Sequence, residues 1–89
     1  METEIKNTPH IVPMFKDLMD LDLSKSTITE LDNAMYQNLM LDCCFDALED
    51  NEDYKFELRM HRKKILSIAN SNFTPEELRK AETLLRYID

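Results

Sequence analysis

Eighty-nine residues, 43% apolar and 33% charged, suit one small globular domain and exclude a disordered chain. A net charge of −7 argues against a general binder of long polyanions, and the absence of glycine argues against phosphate-cradling loops and mirror-type hairpin turns. The longest uninterrupted apolar runs are three residues, far short of a membrane span.

The opening stretch, METEIKNTPHIVP, reads as a flexible arm over residues 1–12, followed by a single helical domain over residues 13–89. The arm has no basic start leading into an apolar stretch, so no signal peptide is expected and the cytoplasm is the expected location. Two cysteines in that setting are expected to be free thiols.

Pro13 is placed to open a short first helix with Met14, Phe15, Leu18 and Met19 as its apolar stripe. DLDLSKS follows as a polar connector. Thr27-Ile28-Thr29-Glu30 then fits a capping box, predicting a second helix from Ile28 to about Glu49. At 100° per residue its apolar positions split into two sets. Ile28, Leu31, Met35, Leu39 and Cys43 share one side; Leu41, Phe45 and Leu48, with Cys44 beside them, share another. A helix apolar on two sides must be covered on both, as a central helix or an oligomer interface is.

Asp50-Asn51-Glu52-Asp53 is the expected corner, with Asn51 capping the next helix. In that third helix Tyr54, Leu58, His61, Ile65 and Ile68 recur at alternating steps of four and three, a short packing seam of the coiled-coil kind. Thr74-Pro75-Glu76-Glu77 announces the last helix with a cap, a first-position proline and two acids. Phe73 and Leu78 match a hydrophobic staple, and Leu78, Ala81, Leu85 and Ile88 form the expected buried stripe, with Leu84 on its border. The predicted fold is all-α: a small bundle of one short and three longer helices, assembling as a homodimer or higher oligomer.

Charge is segregated along the chain. Residues 1–53 carry thirteen acids and three lysines, a balance of −10, and residues 54–89 carry eight bases and five acids, a balance of +3. Such asymmetry serves solubility, steers a partner, or docks one helix on another. Asp42 and Asp46, like Glu49 and Asp53, lie one helical turn apart, where like charges repel by a few tenths of a kcal/mol. A basic surface relieves that cost. Asp42, Asp46, Glu49, Asp50, Glu52 and Asp53 are therefore the candidate residues for binding a protein partner.

Other chemistry has less behind it. Cys43 and Cys44 point about 100° apart on a helix and cannot readily grip one ion, and a disulfide between helical neighbours is strained. They are expected to fill a core, with Cys43 the deeper. His61, on the seam, is expected to be a hydrogen-bonded core histidine whose protonated form the neighbouring cations disfavour. The stretch RMHRKK gives the alternative function: Lys55, Arg59, Arg62 and Lys63 form a basic helix side for nucleic acid, a nucleotide or another anionic ligand. No motif for a catalytic residue, metal site or cofactor is present, so no enzyme is expected. In size, acidity and helical content the chain is similar to small phage-encoded or regulatory proteins that bind and inhibit a larger target, a likeness of kind rather than of motif. The leading expectation is a small acidic regulatory or inhibitor protein acting by stoichiometric binding to a protein partner, away from membranes.

Overall fold

The computed structural model describes residues 2–47 and 52–88, residues 2–10 by backbone alone. The fold is all-α, with no strand among the described residues: α1 (Glu2–Met19), a 3-10 turn (Leu23–Lys25), α2 (Ile28–Asp46), α3 (Glu52–Asn72), α4 (Pro75–Lys80) and α5 (Glu82–Leu85). α2 is the hub and packs against α1, α3, α4 and α5.

The helix starts read from the sequence are largely those observed. Thr27 caps α2 through a closed capping box: its Oγ1 accepts from the Glu30 amide at 3.2 Å, and Glu30 Oε1 accepts from the Thr27 amide at 2.8 Å. Thr74 and Glu77 repeat the same pair of bonds at the start of α4, with Pro75 at the first helical position. Within the connector, the Asp22 carboxylate accepts from the amide and hydroxyl of Ser24, which turns Leu23 inward to a buried position.

Three expectations need correction. The first helix does not begin at Pro13 but at Glu2, so residues 2–12 are helical in continuity with it. The packing stripe carries the helix back past Pro13: Ile11 packs against the core one turn before Phe15, and Phe15 and Leu18 continue the row. The last helix is broken. Ala81 has extended backbone (φ −97°, ψ 98°), which ends α4 and starts α5, and Leu84 rather than Leu85 is buried. The break lets Asp32 of α2 cap α5, its Oδ1 accepting from the amides of Thr83 at 2.7 Å and Leu84 at 3.0 Å.

The cysteines are the third correction. Cys43 and Cys44 are free thiols, and both are exposed. The two apolar sets expected on α2 merge instead into one buried row of Leu31, Ala34, Met35, Asn38, Leu41 and Phe45. Its centre is an asparagine. Counting only apolar residues misses that centre and rotates the inferred face toward Cys43; Leu48 lies outside the described residues. At one end of the row Phe45 stacks on Tyr54 with centroids 4.5 Å apart, and Phe15 meets both rings edge-on at 5.8 and 5.1 Å. The α3 seam is as expected at Leu58, His61 and Ile65, which are buried, with Tyr54 half-buried before them; it closes on buried Ala69, with the expected Ile68 half-buried beside it.

Candidate binding surfaces

The acidic and basic candidates meet each other. Asp42 projects from α2 toward α3, where its Oδ2 accepts from Arg62 Nη1 at 2.8 Å and its Oδ1 lies 3.2 Å from Lys55 Nζ. Lys55 also bonds Asp46. The like-charged pair Asp42–Asp46 is thus held together by a lysine from the next helix, which removes the repulsion that one helical turn would otherwise impose. Partial burial pushes the Asp42 carboxyl up, but Arg62 and Lys55 outweigh it and hold the group below its ordinary carboxylate value. Lys55 responds in the opposite sense: Asp46 and then Asp42 keep its ammonium charged beyond the usual lysine range.

The network continues inward to Asn38. Arg62 Nη1 donates to Asn38 Oδ1 at 2.8 Å, and Asn38 Nδ2 reaches both the Leu58 carbonyl and His61 Nδ1 at 2.9 Å. A guanidinium only donates and a carbonyl only accepts, so these partners define the amide orientation. His61 Nδ1 must then accept, which leaves the imidazole neutral with its proton on Nε2. That Nε2 is buried without a partner among the described residues. Burial first, and Lys64 and Arg62 second, push the His61 pKa down to about 4. The expected hydrogen-bonded core histidine is therefore observed, with desolvation ahead of like charge in keeping it neutral.

The remaining candidates are distributed differently. Glu52 and Asp53 are exposed in the first turn of α3, where acids complement the helix dipole. Glu49 and Asp50 lie outside the described residues. Arg59 and Lys63 are exposed, so the basic side keeps two of its four cations clear of the Asp42 network. Among the described residues no three His, Cys, Asp or Glu side chains form a group able to hold a metal, and no helix is long and apolar enough to cross a membrane.

Two surfaces come from exposure rather than from motif. The first is the outer side of α2, where Thr29, Asn33, Tyr36, Gln37, Met40, Cys43 and Cys44 are exposed and uncharged. The helix's exposed charges, Glu30 and Asp46, are both engaged, one in the capping box and one with Lys55. Tyr36 is 57% and Met40 40% exposed. The second surface is a groove of about 640 Å³ between the connector and α3, lined by Leu21 and Leu23 on one wall and Phe56, Glu57, Met60 and Lys64 on the other. Neither surface carries a signature in sequence, because each depends on which side of a helix the core leaves uncovered. No protein-family model matches the chain, and neither a curated protein nor a solved structure proves similar to it.

Proposed function

We propose that this chain is a small acidic helical protein of the regulatory or inhibitor kind, acting by stoichiometric binding to a protein partner. The observation that carries the reading is the charge-free outer side of α2. In a chain with 33% charged residues, a whole helix side whose exposed centre is Tyr36, Met40, Cys43 and Cys44 is suited to burial. An aromatic ring and a thioether make adaptable contacts of this sort. The partner's contacting patch is apolar at its centre. A basic rim around it suits the net charge of −7, with Glu52 and Asp53 exposed to meet such a rim. Asp42 and Asp46 support this surface from beneath by fastening α2 to α3, and no catalytic role is assigned to any residue.

Affinity capture from cells of the source, comparing the wild type with Tyr36→Lys and Met40→Lys, tests the reading. Both positions are exposed, so unchanged circular dichroism is expected. A protein retained in one-to-one amount by the wild type and lost by both variants supports the α2 surface. Equal retention by the variants excludes that surface, and the lack of any stoichiometric partner excludes the reading. The anion-binding alternative predicts binding that weakens steeply with salt and is lost on reversing Arg59 and Lys63.

A further inference from the structure

Beside its packed seam α3 carries Asp53, Phe56, Glu57, Met60 and Lys64 in that order, all of them exposed. Phe56 and Met60 are 59% and 47% exposed, a large apolar area for a helix that already buries its other side. Residues three and four apart are neighbours on a helix surface, so Glu57, Met60 and Lys64 lie along one edge, and these side chains line the groove beside the connector. Among the described residues Glu57 and Lys64 take part in no ion pair.

A row that reads acid, apolar, base is complementary to itself when reversed. We propose that a second copy of this chain docks here, its α3 antiparallel to the first, with the two-fold axis beside Met60. In that register Glu57 of each copy lies opposite Lys64 of the other, on the same flank of the contact, while the two Met60 side chains meet at its centre. The contact is isologous, each pairing occurring twice. Charge decides in favour of a second copy. Two chains of net charge −7 repel in most orientations, and this approach sets opposite charges against each other at both ends of an apolar centre. A parallel arrangement sets acid on acid and base on base. The outer side of α2 stays open in this dimer's contact scheme, so the inference does not depend on what α2 binds.

Sedimentation equilibrium of the purified chain at micromolar concentration and low salt tests the proposal. The wild type is expected to sediment at twice its 10.6 kDa mass. Glu57→Lys or Lys64→Glu alone places like charges opposite each other twice and raises the dissociation constant roughly tenfold or more. The two changes combined in one chain restore dimerisation, because every pair re-forms with its signs exchanged. An equimolar mixture of the two single variants is also expected to dimerise, since both cross-pairs are then opposite in sign. Met60→Asp abolishes association without loss of helical circular dichroism. A wild type that stays monomeric overturns the proposal, even if some other helical protein binds the same surface. A dimer indifferent to these changes, or one not rescued by the double exchange, places the second copy elsewhere and equally overturns it. Partner capture through Tyr36 and Met40 is expected to survive Glu57→Lys, which keeps failure here distinct from failure of the α2 reading.

Discussion

Protonating His61 sets a proton on Nδ1 against the Nδ2 amide protons of Asn38, so the cost falls on a bond as well as on solvation. The folded pKa is about 4 and the ordinary value 6.5, so between those values the unfolded chain binds more protons than the folded one. Stability therefore rises with pH across that window: the His61 contribution is complete above about pH 6.5 and erodes as pH falls toward 4. Thermal melts of the wild type and His61→Gln at steps between pH 7.5 and 4 are expected to converge toward the acid end, with the variant flatter across the window. Parallel curves would assign the acid sensitivity to other groups. That His61 is a buried seam residue follows from its spacing with Leu58 and Ile65. Its partner does not, because Asn38 is polar and an apolar count of α2 passes over it. The exposure of Cys43 and Cys44 escapes the sequence for the same reason: a sulfur in an apolar run looks like core until the true centre of the row is known.

Capping shows at the scale of elements where local sequence suffices and where it stops. The boxes at Thr27–Glu30 and Thr74–Glu77 carry donor and acceptor within four residues, so both are complete in the sequence. The cap of α5 is not, since its acceptor is Asp32, 51 and 52 residues away from the amides it serves. Nothing local marks the break at Ala81, whose neighbours are good helix formers. Likewise, Pro13 is a normal helix opener by local rules, and only the packing of Ile11 reveals a helix before it. Replacing Asp32 by alanine is expected to cost about 1 kcal/mol, as loss of a cap does, and to speed amide exchange at Thr83 and Leu84 selectively. Asp32→Asn, which keeps an acceptor oxygen, is expected to recover most of that protection. General acceleration along α2 in Asp32→Ala would mean that the carboxylate supports its own helix instead.

For the whole molecule, the segregation of charge turns out to be partly internal: the acidic half and the basic half are fastened to each other through Asp42, Lys55 and Arg62. Side-chain exposure of 22% at Asp42 against 69% at Asp46 ranks the two acids. Asp42→Ala leaves Arg62 without its carboxylate and Lys55 with Asp46 alone, and is expected to cost about 1–3 kcal/mol in urea denaturation, whereas Asp46→Ala is expected to change stability by about 0.5 kcal/mol or less. A reversed ranking would make the exposed Lys55–Asp46 pair the true fastening. The dependence of α5 on Asp32 also has a bearing on the order of folding. Four residues cannot hold a helix by themselves, because nucleation fixes several backbone angles for a single hydrogen bond. The carboxylate that compensates those amides stands some fifty residues earlier, on α2, so α5 cannot form until a distant part of the chain has been brought to it. In refolding from denaturant α2 and α3 can therefore pair before residues 82–85 find their acceptor. The four-residue turn is expected to order after them, as a latch set by a side chain far away in sequence.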